Sequence, residues 1–182
     1  MLPNDAFLDS GKMSALLTIL SKHSKDDKVL VFSQYLESLD IVERILQMNG
    51  EDTFRVDGAT DILKRQGILD AFTNDISSPR VMLLSTRTGG VGLNLSRANI
   101  VVFLDPDWSA QVMLQAEDRS HRMGQTKSVT VYRLCTRGSF EEHIQGVADD
   151  KARLSDKLLR EPEKKSKASE ELTDKMLQEC LR

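Results

Sequence analysis

Three side chains in the run Gln115 to Gln125 (QAEDRSHRMGQ) have the types and spacing to hold an anion. On a helix Gln115, Arg119 and Arg122 fall at i, i+4 and i+7 and so share one face. Two guanidiniums beside a neutral amide make a poor apolar face and a good clamp for phosphoryl oxygens, because arginine offers a fixed fork of donors and stays charged. Like charges three residues apart repel unless an anion bridges them. Taken alone, two arginines also suit a solvated polar face.

A second phosphate-sized feature is Ser85 to Leu95 (STRTGGVGLNL), where Gly89, Gly90 and Gly92 follow an apolar run. Glycines there let the backbone approach a ligand and aim N–H groups at it; an ordinary strand-to-helix turn is the alternative. It is not a Walker A loop, since no Gly-Lys-Ser or Gly-Lys-Thr follows, and Gly11-Lys12 precedes Met13 and the first strand. Asp105 and Asp107 are the nearest approach to an acidic, magnesium-binding strand end. Trp108, the single tryptophan, sits among Asp107 and Ser109; it suits a core position or a ring laid against a sugar or base. His121 lacks a partner at metal-ligand or triad spacing, and a surface or capping role is expected of it.

The elements that must position these groups are short β-branched runs: Val29–Ser33, Phe54–Asp57, Val81–Ser85, Ile100–Asp105 and Val129–Leu134. Several are apolar nearly throughout, as strands buried on both faces of a parallel sheet are. Between them Leu36, Leu39, Val42, Ile45 and Leu46 make one helical stripe, and Ile62, Leu69 and Phe72 part of another. Alternating strand and helix predicts right-handed crossovers and an open α/β sheet with helices on both faces. Sites in such sheets lie beyond the carboxyl ends of the strands. Here those ends carry Ser33-Gln34, Asp57-Gly58, Ser85-Thr86 and Asp105-Pro106-Asp107-Trp108. After Thr136 a long charged helix is expected, with Phe140, Ile144, Val147, Leu154 and Leu158 on one face and Pro162 ending it. Glu161 to Glu171 reads as a charged linker, and Leu172, Met176, Leu177 and Leu181 as a short last helix.

Composition narrows the class. The 182 residues are 40% hydrophobic and 29% charged, proportions of a soluble globular protein. No apolar run approaches a membrane span, and no signal pattern opens the chain, so an intracellular, non-membrane protein is expected. Cys135 and Cys180 are too few for a disulfide framework or a zinc site. A net charge of −3 argues against nucleic-acid binding by bulk positive potential, leaving a local patch as the route to DNA.

The blocks KVLVFSQY, FRVDGAT, VMLLSTRTGGVGLNLSRANIVVFLDPDW and QAEDRSHRMGQTKSVTVYRL, in that order, resemble the second RecA-like lobe of Swi/Snf-type DNA translocases. These are the chromatin-remodelling members of helicase superfamily two; the tail is similar to the Fun/Etl branch. The likeness runs from about residue 10 to residue 158. It implies a RecA-like lobe over 1–136, a brace helix over 137–161 that packs back on it, and a charged linker with a short helix over 162–182. It further implies ATP with magnesium held mainly by a first RecA-like lobe, over whose phosphates the second lobe closes. Arg119 and Arg122 would then be arginine fingers, Gln115 would orient phosphate or water, and Gly89, Gly90 and Gly92 would lie beside the nucleotide. Ser33, Gln34, Gly58, Thr60, Thr86, Arg87 and Asn94 match blocks that grip DNA phosphates, and Trp108 matches a tryptophan that reaches DNA. Partners implied are double-stranded DNA, nucleosomes and the first lobe, in the nucleus. The chain departs from the family at Ser109, Ala110 and Met113, where Asn, Pro and Asp are usual, and at Thr88, usually alanine. A non-catalytic lobe serving as a protein-interaction or DNA-binding scaffold is the reading from another class.

Overall fold

The computed structural model describes residues 10–75, 77–86, 95, 97–107 and 127–160, with side chains of residues 152 and 155–160 excepted. Among these, five strands form one sheet: β1 Lys28–Ser33, β2 Thr53–Val56, β3 Val81–Ser85, β4 Ala98–Phe103 and β5 Thr130–Arg133. Their order is β2-β3-β1-β4-β5, every pair parallel. The described helices are α1 Gly11–Lys22, α2 Leu36–Met48, α3 Ile62–Asn74 and α4 Phe140–Arg160. None of the described helices is long and apolar enough to cross a membrane.

The β-branched runs become central strands because both faces of β1, β3 and β4 are covered. Side chains alternate across the sheet. Val29, Val31, Val81, Leu83, Ile100 and Val102 pack on one face with α1 and α2. Leu30, Phe32, Met82, Leu84, Val101 and Phe103 pack on the other with Leu69 and Phe72 of α3. The split follows from handedness. Passing from β1 to β2 and from β2 to β3 moves along the sheet in opposite directions, so right-handed crossovers place α2 and α3 on opposite faces. The chain passes from β1 toward β2 and from β4 toward β5 in opposite directions, which makes the carboxyl end of β1 the switch point beside which ligands bind in open sheets.

Local chemistry sets the element ends. The Asp61 carboxylate caps α3 by accepting from the Leu63 and Lys64 amides at 2.9 and 3.3 Å. Gly50, at φ 72°, closes α2 in the left-handed region, its amide bonded to the Gln47 carbonyl at 3.1 Å. Ser139 starts α4, its hydroxyl accepting from the Glu141 amide at 3.2 Å.

The structure differs from the sequence reading at three points. A helix, α1, precedes the first strand, and its Met13, Leu16, Ile19 and Leu20 are buried against α2 and the sheet. Ile62 does not join the buried stripe of Leu69 and Phe72 but is 79% exposed, as Leu63 beside it is exposed in the same first turn of α3. The strands also end earlier than their sequence runs: Asp57 and Asp105 lie just beyond β2 and β4.

Candidate functional site

Along the carboxyl edge the strand order sets the residues side by side: Asp57 to Thr60 after β2, Thr86 after β3, Ser33-Gln34 after β1, Asp105-Pro106 after β4. Neighbouring strands lie about 4.8 Å apart, so the row spans about 14 Å. Register fixes it, with Val56 and Phe32 both opposite Leu84, and Ser33 opposite Ser85.

Asp105 organises the centre. Its Oδ2 accepts the Ser33 hydroxyl and, at 3.3 Å, the Gln34 amide. The Gln34 side chain donates to the Pro106 carbonyl at 2.6 Å, tying the same two loops again. Ser33 Oγ also accepts from the Tyr35 amide at 3.1 Å, and the Tyr35 carbonyl, likewise at 3.1 Å, is the alternative acceptor for its single proton. From β3, the buried Thr86 hydroxyl donates to the Ser33 carbonyl at 3.1 Å. Ser33 and Thr86 thus use their hydroxyls inside the protein, shaping the loop, while Gln34 and Thr60 are half-buried and Gly58 is exposed. Asp105, the magnesium candidate of the sequence, has its carboxylate engaged by these donors and by Lys12. Among the described residues no group of three His, Cys, Asp or Glu side chains could hold a metal.

The turn after β2 is built around Asp57. Its Oδ1 accepts from the Ala59 amide at 3.0 Å and the Thr60 hydroxyl at 3.3 Å, and Thr60 Oγ1 accepts from the Asp57 amide at 3.0 Å. Burial raises the Asp57 carboxyl's pKa, but hydrogen bonds from Arg55 and Ala59 outweigh it and hold the group below its ordinary value. Arg55 in turn meets Asp40 and, at 3.2 Å, Glu43 of α2. Burial opposes its charge, yet these carboxylates and Asp57 keep the guanidinium above its ordinary pKa.

Two charged residues that meet beside Asp105 escaped the sequence reading. Lys12 Nζ donates to the Leu104 carbonyl at 2.7 Å and to Glu141 at 2.5 Å, and lies 3.6 Å from Asp105. Glu141 also accepts from the Thr136 amide at 2.8 Å. Burial pushes the Glu141 carboxyl up, and Lys12 and Thr136 more than reverse it, leaving it below its ordinary value. No local spacing signals this pairing, because the partners are 129 residues apart. A cavity of about 700 Å³ opens beside it, lined in part by Lys12, Ile41, Asp105, Leu134, Thr136 and Glu141.

Arg87, Gly89, Gly90, Gly92, Asn94, Trp108, Gln115, Arg119 and Arg122 lie outside the described residues, as does the segment 161–182. The structure brings together Ser33, Gln34 and Thr86, and it sets Gly58 and Thr60 two strands along the same edge.

The family model "Helicase conserved C-terminal domain" matches residues 11–124. The chain is 41% identical over 159 residues to the ATP-dependent helicase fft1 of Schizosaccharomyces pombe, covering 87% of this chain and 17% of that protein. It is 42% identical over 154 residues to the mouse SWI/SNF-related matrix-associated actin-dependent regulator of chromatin subfamily A member 1, covering 84% and 15%. It therefore spans less than a fifth of these curated relatives. Among solved structures, the crystal structure of the C-terminal part of the Fun30 ATPase domain matches with a TM-score of 0.76 and 40% identity, over 81% of this chain and 48% of that one. The open parallel sheet, with this carboxyl edge, is a RecA-like fold. The chain belongs to the helicase conserved C-terminal domain family, and the proteins it is similar to include SWI/SNF-related and Fun30 ATPases.

Proposed function

We propose that this chain is the C-terminal ATPase lobe of an ATP-dependent translocase of double-stranded DNA that remodels nucleosomes in the nucleus. The observation that carries this reading is the carboxyl-edge row, where Asp57 to Thr60, Thr86, Ser33-Gln34 and Asp105 stand side by side, with hydrogen bonds tying Thr86, Ser33 and Asp105 together and others closing the Asp57–Thr60 turn. Such a row suits a sugar-phosphate backbone, which is gripped by backbone N–H groups and small polar side chains rather than by base-specific contacts. Ser33 and Thr86 serve by shaping the loops; Gln34, Gly58 and Thr60 meet the strand, joined by Arg87, Asn94 and Trp108.

Hydrolysis needs a first lobe. The 182 residues contain no Walker A loop, and Asp105's carboxylate is engaged within the lobe, so ATP and magnesium are assigned mainly to that neighbour. Arg119 and Arg122 lie within the matched residues 11–124, at helical spacing with Gln115. In this reading they neutralise charge developing on the transferred phosphoryl group, Gln115 orients phosphate or water, and Gly89, Gly90 and Gly92 border the nucleotide. The lobe occupies 1–136, the brace helix 137–161 and a charged tail 162–182.

The test is ATP turnover with and without double-stranded DNA. The 182-residue chain alone should show negligible turnover, and the chain joined to its first lobe should show DNA-stimulated turnover. Turnover by the isolated chain, or none by the joined pair, refutes the reading. The net charge of −3 favours a second reading, a non-catalytic scaffold. Steep loss of DNA binding as salt rises distinguishes the translocase lobe from it.

A further inference from the structure

We propose that Lys12 is a positioning residue that couples docking of α4 to the grip of the β1 loop on the DNA backbone. The proposal rests on the reading of that loop given above.

Four groups form a continuous chain from α4 to β1. Glu141 in the first turn of α4 holds the Lys12 ammonium at 2.5 Å. Lys12 lies 3.6 Å from Asp105 Oδ1. The other oxygen of Asp105 holds the Ser33 hydroxyl and the Gln34 amide. The side chains of Lys12, Asp105 and Glu141 are only 17%, 11% and 27% exposed, so their interactions are partly shielded from solvent.

The charge balance makes the chain two-sided. One ammonium faces two carboxylates on different elements, and it sits closer to Glu141 than to Asp105. With α4 docked, Asp105 keeps its charge for Ser33 and Gln34. When Glu141 withdraws, Lys12 closes on Asp105 and competes with the β1 loop for the same carboxylate. The cavity beside Lys12 and Asp105 supplies room for that movement without repacking the core.

Helix α4 is suited to docking and release. Among its described side chains Ala148 alone is buried, and Phe140 at its start is exposed. Its first turn is held by Lys12 and, through Glu141, by the Thr136 amide at 2.8 Å. A change in α4 thus reaches the strand-gripping loop through one lysine.

The experiment uses the full-length protein and measures DNA length moved per ATP hydrolysed, with hydrolysis at saturating DNA and melting temperature alongside. Glu141→Gln and Lys12→Met should each lower the distance per ATP by about threefold or more, with hydrolysis changed by less than that. Lys12→Arg, which keeps the charge, should retain most of the wild-type distance. Lys12→Met and Glu141→Gln moving DNA as far per ATP as wild type overturns the proposal, even if both melt earlier. Lys12→Arg failing as completely as Lys12→Met also overturns it, since the charge would then be immaterial. Wild-type protein that hydrolyses no ATP in response to DNA removes the underlying reading, whereas a normal wild type with coupled variants removes this proposal alone.

Discussion

Asp105→Ala removes an acceptor on which three elements converge, and the geometry sets its cost. The carboxylate accepts the Ser33 hydroxyl and, at 3.3 Å, the Gln34 amide, and lies 3.6 Å from Lys12. Hydrogen bonds to a charged group are each worth about 1.5–3 kcal/mol, and the longer bond to Gln34 belongs at the lower end. Two of the three partners are not stranded by the change, while the amide of the half-buried Gln34 loses this acceptor. Ser33 keeps the Tyr35 carbonyl at 3.1 Å, and Lys12 keeps Glu141 at 2.5 Å and the Leu104 carbonyl at 2.7 Å. The expected loss is therefore about 2–4 kcal/mol rather than the larger penalty of an uncompensated buried charge. Asp105→Asn keeps an oxygen for Ser33 and Gln34 and loses only the charge, so it should cost about 1 kcal/mol. Urea unfolding followed by circular dichroism reads both. With a slope of about 2 kcal/mol/M, the alanine variant should unfold about 1–2 M earlier than wild type. An alanine variant within about 0.5 kcal/mol of wild type refutes the reasoning, as does an asparagine variant as damaging as alanine.

Acid stability should report on Asp27, at the opposite edge of the sheet. Its carboxylate takes Lys127 at 2.7 Å and Asn99 at 2.9 Å. The hydrogen bond from Lys127, against burial, holds the group below its ordinary pKa of 3.8. A carboxyl depressed in the folded state adds stability that is complete above the unfolded value and is lost as pH falls through the folded one. Melting temperature should hold near neutral pH and fall below about pH 4; Asp27→Asn should lower the plateau and flatten that fall, and an unchanged acid limb would count against the assignment. Phe72, fully buried under the sheet, should cost about 3–5 kcal/mol as Phe72→Ala, while exposed Ile62→Ser stays within about 0.5 kcal/mol; equal losses in denaturant would contradict the placement of α3. In the full-length protein Trp108→Ala should leave ATP hydrolysis running but move less DNA per ATP, and normal movement would remove Trp108 from the DNA contact.

The sheet was legible because burial on both faces leaves apolar, β-branched runs too plain to miss, as in Val29 to Phe32 and Val81 to Leu84. Strand ends were less so. Asp57 and Asp105 extend the sequence runs, yet both leave the ladder because their carboxylates serve turn amides, those of Ala59 and Gln34. Helix α1 had a usable signal in Met13, Leu16, Leu17 and Leu20, at i, i+3, i+4 and i+7. It lacks the side-chain cap that marks a start, and Gly11 opens it. Ile62 fits the period of α3, but period alone does not tell which turn of the helix is left uncovered. Lys12, Asp105 and Glu141 meet only in the folded chain, so nothing local to any of them announces the contact.

The central claim is that Arg122 reaches a triphosphate held by another lobe. Single-turnover ATP hydrolysis on saturating double-stranded DNA, by full-length protein carrying Arg122→Ala, tests it most directly. The rate should fall by about 10³-fold or more, the usual worth of an arginine finger, while DNA affinity stays near wild type. A variant that hydrolyses ATP at the wild-type rate contradicts the account.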